Sequence, residues 1–350
     1  MKKERDFSMD AVRAGAAVLV IAVHFFLHTG FYDLPLTGPV MAMSAWLRMA
    51  FMPCVPLFLM LSGYFCAERR WSRRYPLGLI PVLLTYLLCG TVCLLFRVFY
   101  MKEPVGGVFG AMKQYLAFAA APYGWYVAMY VGLFLLMPFL NALWRGLDIP
   151  GRRALLPVLF LLVSLPTITN LFFQILPDWW LNLYPAAYYL LGVRLREMPE
   201  RMSRLRGGWL LLIWLALAAA AAALRWAFAG GGTFTWTSYT DYNSVFVAGE
   251  AVCAFLLLRR CRGGRLAKML RSAISRIAQI SLPVFLLSYI FDALFYPVLN
   301  NRIPTLQGRL PFLPLMVLLI LLCSSALGEL VDLAAKGLLR LMPGRERTKE

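Results

Sequence analysis

The sequence has few charges and few of the residues that build disulfide-rich or metal-binding domains. Only 15% of its 350 residues are charged, two are histidine, and the seven cysteines lie in or beside apolar segments without paired-ligand spacing. We interpret the cysteines as small buried hydrophobic residues, which excludes a disulfide framework and gives no support to redox chemistry. With only two histidines in the chain, a three-histidine metal site is also excluded.

Several organising features of other protein classes are missing as well. The sequence has no convincing signal-peptide cleavage site, no internal repeat, no low-complexity segment and no linker long enough to separate two folded domains. The first apolar run leads directly into further runs, so we expect the N-terminal segment to stay in the protein. One domain is therefore expected to account for the chain.

What the sequence does contain is long apolar runs. Hydrophobic residues make up 61% of the chain, and the mean hydropathy is +0.69. Because about 20 apolar residues cross a bilayer, the sequence predicts an all-α polytopic membrane protein with about ten transmembrane helices. The predicted spans are residues 11–30, 41–66, 76–97, 124–143, 154–173, 180–195, 208–229, 244–259, 277–299 and 311–335.

The distribution of basic residues predicts the orientation of these spans. Most of the 35 lysines and arginines fall in the terminal segments and in alternate loops, at residues 2–5, 69–74, 145–153, 194–206, 259–276 and 336–349. Since such residues accumulate on the cytoplasmic side, both termini are predicted to be cytoplasmic. Basic loops beside anionic membrane lipids also explain the net charge of +18, without a nucleic-acid partner.

The first span contains the stretch RAGAAVLVIAVH (residues 13–24), which includes two polar side chains. Arg13 and His24 are eleven residues apart, so they lie within about 20° of one helix face and about 16 Å apart along the axis. Arg13 could be an interface anchor, and His24 could be a core histidine bonded to a neighbouring helix. His28 makes an HxxxH metal pair conceivable, but no glutamate follows the first histidine, and no metal is predicted.

The second informative stretch is FMPCVPLFLMLSGYFCAERRWSRRYP, residues 51–76. A span ends there in Ser62, Gly63 and Tyr64, and two arginine pairs follow. An arginine cluster at a span end can be only a topology signal, or it can bind the phosphates of a nucleotide-bearing donor. Gly63 could let a ligand approach the backbone, and Ser62 is equally plausible in helix packing. The four arginines are Arg69, Arg70, Arg73 and Arg74.

These stretches, together with YGWYVAMYVGLFLLMPFLN (residues 123–141) and ISLPVFLLSYIFDALF (residues 280–295), resemble the integral-membrane acyltransferase family 3. The resemblance covers the whole chain in span number and order. Many members carry a histidine where this sequence has Ser288, which suggests the surface-polysaccharide O-acyltransferase-like subgroup. The domain is expected over residues 1–350, with an approximate catalytic half at 8–145 and the remaining helices at 154–340.

The resemblance implies a multi-pass enzyme of a bacterial plasma (cytoplasmic) membrane that transfers acyl groups other than amino-acyl groups. The co-substrate would be cytoplasmic acyl-coenzyme A, commonly acetyl-coenzyme A, and the acceptor a hydroxyl of a cell-surface polysaccharide or lipid-linked glycan precursor. His24 would act as general base, with Arg13 beside it. The arginine cluster and residues 62–64 would bind the donor. No metal is implied, and the oligomeric state stays open.

Five further polar or aromatic residues could contribute to the site, and for most of them the sequence leaves two interpretations open. Trp125 and Tyr126 belong either to an aromatic belt or to a surface that stacks on a sugar ring, and Tyr126, Ser288 or Arg13 could donate to an oxyanion. Glu250 and Asp292 lie in predicted spans, where an ionised carboxylate needs a partner. They are expected either to form ion pairs with Arg13, Arg48 or His24, or to orient the imidazole.

A transporter or flippase of a glycan or another solute is the rival class, since buried Arg, His, Glu and Asp also line solute pathways. The absence of repeated halves and the concentration of polar motifs in the first four spans argue against it. A membrane scaffold without chemistry explains His24 poorly. Turnover of acetyl-coenzyme A would distinguish an enzyme from a transporter.

Overall fold

The computed structural model describes residues 6–198, 205–261 and 265–341, without the side chains of residues 265–269. Parts of the predicted cytoplasmic basic clusters, at residues 2–5, 201–204, 262 and 345–349, lie outside the described residues, as do the side chains of residues 265 and 268. Within the described ranges the chain forms helices and connecting loops, with an isolated β-bridge between Pro35 and Thr233.

The α-helices of these ranges follow one another in chain order. They are α1 (Phe7–His28), α2 (Gly38–Ala50), α3 (Cys54–Cys66), α4 (Ile80–Leu95), α5 (Gly107–Leu116), α6 (Trp125–Gly146), α7 (Ile149–Ser164), α8 (Pro166–Thr169), α9 (Tyr184–Glu197), α10 (Gly207–Ala229), α11 (Val245–Leu258), α12 (Arg265–Gln279), α13 (Ser281–Arg302), α14 (Leu306–Arg309) and α15 (Leu313–Leu341).

Nine helical stretches of the described residues are long and apolar enough to cross a membrane. They are Phe7–His28, Gly38–Cys66, Tyr75–Tyr100, Trp125–Gly146, Ile149–Thr169, Gly207–Ala229, Ser238–Leu258, Ser281–Arg302 and Leu306–Leu341. The prediction of an all-α polytopic membrane protein is confirmed.

The sixth predicted span, residues 180–195, differs from the structure in its limits. Its helix, α9, has 14 residues and begins at Tyr184, with Pro185 in its first turn. Proline favours that position because its ring fixes φ and its missing N–H would have no partner there. At about 1.5 Å per residue, α9 is roughly 21 Å long, which is shorter than the hydrocarbon core of a bilayer.

Helix α1 lies at the centre of the molecule. It packs against α3, α11, α12, α13 and α15, and most of its residues are buried, as expected for a helix that is apolar on nearly all sides. Asp6 caps its start by accepting a hydrogen bond from the Ser8 N–H at 3.0 Å. At its other end, Asn300 donates to the His28 carbonyl at 2.8 Å, and Arg309 donates to the Thr29 carbonyl at 2.7 Å. Both ends of α1 are therefore held by polar contacts.

Helices α3 and α9 approach each other at two glycines. A Cβ atom on Gly63 would lie 1.9 Å from the Tyr189 carbonyl oxygen, and one on Gly192 would lie 2.0 Å from the Met60 carbonyl oxygen. Small residues of this kind let membrane helices pack backbone against backbone. The glycine at the end of the second span thus fixes the position of α3, which forms one wall of the site described below.

Helix α12 was not predicted, because residues 265–276 were assigned to a basic cytoplasmic loop and residues 277–279 to the ninth span. It packs against α1, and the Arg271 guanidinium lies 5.3 Å from the centroid of the Phe7 ring. Leu270, Ile274 and Ile277 recur at intervals of four and three residues, which is the helical period that could have identified it.

Candidate active site

His24 lies opposite a buried carboxylate near the C-terminal end of α1. Its Nδ1 is 3.6 Å from Oδ2 of Asp292, which α13 contributes. The Asp292 side chain is fully buried and that of His24 is 14% exposed. Among the partners expected for Asp292, the structure places His24 opposite it, through a contact between helices far apart in sequence. This contact agrees with both interpretations of Asp292, an ion pair and the orientation of the imidazole.

A tyrosine connects this carboxylate to the second histidine. The Tyr123 hydroxyl donates to Asp292 Oδ2 at 2.7 Å and lies 2.9 Å from Nε2 of His28. Burial, and after it the Asp292 carboxylate, raises the pKa of the Tyr123 phenol well above its ordinary value, so the hydroxyl keeps its proton. Since that proton points to Asp292, the hydroxyl must accept from His28, which assigns the His28 proton to Nε2.

The same geometry suggests the tautomer of His24. Nδ1 of His24 is buried without a hydrogen-bond partner, as is Oδ1 of Asp292. A proton on Nδ1 would face the carboxylate and leave Nε2 with a lone pair, which is the arrangement of a histidine oriented by a carboxylate. The Tyr123 ring packs over the imidazole with ring centroids 4.2 Å apart and restricts its rotation.

His24 lines a cavity of about 360 Å³, which we call the His24 cavity. Its wall is largely aromatic, and Asp241 adds a carboxylate. Two stacked pairs belong to this wall: Trp125 with Tyr242 and Tyr32 with Trp236, each with ring centroids 6.0 Å apart.

Arg13 lines a second cavity, of about 250 Å³, which we call the Arg13 cavity. Helices α1, α3, α4, α6, α12 and α13 form its wall, which is mainly apolar. Its polar groups are Arg13, Ser62, Tyr126, Tyr130, Gln279 and Ser281. The predicted pair Arg13 and His24 thus shares one face of α1 but lines two different cavities. Trp125 and Tyr126, adjacent in sequence, likewise line the His24 cavity and the Arg13 cavity, respectively.

The family model of the acyltransferase domain of acyltransferase family 3 matches residues 6–329. The chain belongs to this acyltransferase family. The match covers nearly the whole chain and includes every helix that forms the two cavities, and it supports a membrane acyltransferase activity. Neither a curated protein nor a solved structure matches the chain.

In this acyltransferase domain, the residues predicted at the end of the second span have separate positions. Ser62 lines the Arg13 cavity, and its hydroxyl donates to the Phe58 carbonyl of its own helix at 2.9 Å. Gly63 packs against α9, so the space that was expected for a ligand is occupied by the Tyr189 carbonyl. The Arg259 guanidinium lies over the ring of Tyr64, 5.6 Å from the ring centroid. Tyr64 does not line either cavity. A neighbouring backbone therefore occupies the space expected for a ligand at Gly63, and the ligand role of Tyr64 stays a prediction.

The four predicted donor arginines, Arg69, Arg70, Arg73 and Arg74, are all exposed, and none lines the Arg13 cavity. The backbone of this segment is held by Asn141, which donates to the carbonyls of Cys66 and Arg69 at 2.8 and 3.0 Å. Phosphate binding by the cluster stays a prediction.

Two of the predicted supporting residues lie away from the histidines. The Ser288 hydroxyl is fully buried and donates to the Phe285 carbonyl of its own helix at 2.8 Å, so it is not aimed at an oxyanion. Glu250 is fully buried in α11, with neither carboxylate oxygen hydrogen-bonded. Arg48, one of its expected partners, is close enough to act on it electrostatically. The Arg48 guanidinium nevertheless donates its hydrogen bonds to the Thr240 carbonyl and the Tyr32 hydroxyl.

Sequence reasoning missed several residues of the site. The sequence indicates Tyr123 only as the first residue of the motif at residues 123–141, and His28 only as half of a conceivable metal pair. Among the described residues, no group of three or more histidine, cysteine, aspartate or glutamate side chains is arranged to hold a metal ion. Asp241 and Trp236 lie in the loop before α11, where the aromatic and polar composition of GTFTWTSYTDYNS could have marked them.

Proposed function

We propose that this acyltransferase moves an acyl group from acyl-coenzyme A to a hydroxyl of a cell-surface polysaccharide or of its lipid-linked precursor. The same proposal includes membership of the surface-polysaccharide O-acyltransferase-like subgroup. The observation that carries the proposal is the His24–Asp292 pair, an imidazole that faces a buried carboxylate at the wall of a cavity. A core histidine bonded to a neighbouring helix would have no need of an adjoining cavity.

The proposed step is a direct transfer with a balanced proton path. Nε2 of His24 takes the proton of the acceptor hydroxyl as the oxygen attacks the thioester carbonyl. The new C–O bond forms, the C–S bond breaks, and the proton passes from the imidazolium to the leaving thiolate. Asp292 faces Nδ1 and stabilises the positive charge that the ring carries between these two transfers.

The Arg13 cavity suits the donor. An extended thioester arm is largely apolar with a few amide groups, and this cavity is mainly apolar with a cation and hydroxyl groups on its wall. With the N-terminus in the cytoplasm, as the charge distribution predicts, Arg13 lies near the cytoplasmic end of α1. The exposed arginines 69–74 follow α3 on the same side, where they would attract the coenzyme phosphates.

The His24 cavity suits a sugar acceptor. Aromatic faces stack on the apolar faces of sugar rings, and a carboxylate such as Asp241 accepts hydrogen bonds from sugar hydroxyls. The cavity also contains His24, so a hydroxyl of a bound ring would lie beside the proposed base. In the predicted orientation it lies toward the outer face of the membrane, where a cell-surface acceptor would reach it.

The experiment compares variants in inside-out membrane vesicles from a strain that lacks the gene, complemented with wild-type or variant protein. Acetyl-coenzyme A labelled with ¹³C is supplied, and both released coenzyme A thiol and labelled ester in the glycan are measured. His24→Ala should lower kcat by at least about a hundredfold, because a general base contributes about 10²- to 10⁴-fold. Arg13→Ala should mainly raise KM for acetyl-coenzyme A.

Both variants must be present in the membrane at wild-type amounts, which immunoblotting would check. If His24→Ala acylated the glycan at a near-normal rate, the assignment of the base would be wrong. If wild-type vesicles released no coenzyme A and formed no ester, the chain would not perform the proposed reaction, and transport of a glycan or another solute would become the better hypothesis.

A further inference from the structure

The two cavities meet at a wall of aromatic rings, and Phe285 is its central member. Phe285 lines the Arg13 cavity, whereas His24 lines only the other cavity. The ring of Phe285 stacks on Tyr123 with centroids 5.7 Å apart and meets the edge of Tyr126 at 5.9 Å. Tyr123 belongs to the His24 cavity and Tyr126 to the Arg13 cavity, so Phe285 contacts one ring from each side.

This wall also touches the proposed base. The centroids of Phe285 and His24 are 6.2 Å apart, which is within the range of aromatic rings in contact. Phe285 is only 6% exposed, so most of its ring is packed against neighbours, and the remainder lines the Arg13 cavity. A thioester that reaches His24 from the Arg13 cavity must therefore place its acyl group against the Phe285 ring.

Helix α13 fixes this arrangement. Phe285 and Asp292 are seven residues apart, so they lie within about 20° of one helix face and about two turns from each other. Asp292 binds Tyr123, and Tyr123 stacks on Phe285. The ring that closes the wall and the carboxylate that faces His24 are thus carried on one rigid element, and movement of Phe285 is limited by close-packed neighbours.

Resting on the proposed function, we infer that Phe285 determines acyl-chain length and restricts the donor to short acyl groups such as acetyl. An acetyl group adds one methyl beyond the carbonyl carbon, whereas a butyryl group adds three carbons that would overlap the ring. An apolar site discriminates by about 10- to 200-fold for a single methylene, so acetyl should exceed butyryl by at least about a hundredfold in kcat/KM.

The test measures coenzyme A release and glycan ester in the vesicles described above, with acetyl-, propionyl- and butyryl-coenzyme A as donors. Phe285→Ala should lower the acetyl-to-butyryl ratio of kcat/KM by at least about tenfold, through faster butyryl transfer. Phe285→Leu removes less volume and should lower it by less, and it serves as the second variant if the alanine variant does not accumulate. Phe255→Leu is the matched control, because Phe255 is fully buried and lines neither cavity.

An unchanged ratio in folded Phe285→Ala or Phe285→Leu would overturn the inference, as would a wild-type enzyme that uses butyryl- and acetyl-coenzyme A equally well. Those outcomes leave the proposed function intact, because acetyl transfer itself would have been observed. Absence of turnover by the wild-type protein with all three donors would instead overturn the proposed function, and the inference would fall with it.

Discussion

The contact between Asp292 and His24 allows the effect of one substitution to be worked out. Asp292→Asn removes the negative charge but keeps an oxygen that can accept the Tyr123 hydrogen bond. The two side chains are almost the same size, so the packing of α13 against α1 should survive. The variant therefore isolates the charge from the fold.

The magnitude follows from the distance. Opposite unit charges 3.6 Å apart, at an effective dielectric constant of about 20, attract each other by about 4.5 kcal/mol. This attraction exists only while the imidazole is charged, which is the state between the two proton transfers. Since about 1.4 kcal/mol corresponds to a tenfold change in rate, Asp292→Asn should lower kcat by on the order of a thousandfold, with little change in KM.

The assay is coenzyme A release by purified protein in lipid nanodiscs, with ester formation in vesicles as the second readout. Glu250→Gln is the matched control, since it makes the same change at a fully buried carboxylate that lines neither cavity. It should retain wild-type kcat within a few-fold. If Asp292→Asn also kept kcat within about threefold, Asp292 would not act on the base, and the proposed mechanism would be refuted.

Two further predictions concern stability, each measured as the apparent Tm in detergent. Tyr123→Phe should lower Tm by the equivalent of about 1–3 kcal/mol, because Asp292 loses a hydrogen-bond donor and His28 an acceptor. Tyr100→Phe, at an exposed position, is the control and should leave Tm unchanged. Equal effects of the two substitutions would contradict the hydrogen-bond chain. Gly63→Ala should lower the free energy of unfolding by about 1–3 kcal/mol, because the added methyl group overpacks against α9. Gly132→Ala is the control and should be neutral, since the space around its Cβ position is open. A Gly63→Ala protein as stable as the wild type would contradict the close contact.

The helices could be predicted because apolar runs and helical periodicity are local features of the sequence. The first span and the face shared by Arg13 and His24 needed only helical geometry. Residues 180–195 were less predictable, because Pro185 can begin a helix or interrupt one. Gly63 was ambiguous for a similar reason, since a glycine permits close approach of either a ligand or a neighbouring backbone.

The contacts of the site could not be predicted, because they depend on how distant helices pack. Asp292 was proposed as a partner of an arginine or of His24, and only the packing of α13 on α1 decides between them. The position of Tyr123 depends in addition on the loop before α6. Ser288 and Asp292 are four residues apart on one helix, yet only Asp292 reaches the histidines, because the Ser288 hydroxyl bonds to its own backbone.

The placement of Arg13 and His24 on one helix has a mechanical consequence. Each lines a different cavity, and the interval of about 16 Å between them is fixed by the backbone hydrogen bonds of α1. Contacts at both ends hold this helix, through Asp6 at its start and Asn300 and Arg309 at its end. If the donor spans the Arg13 cavity as proposed, α1 sets the distance between the site that holds the donor and the base that acts on its acyl group. The acyl group would then reach His24 alongside the Phe285 ring, while the relative positions of Arg13 and His24 stay constant.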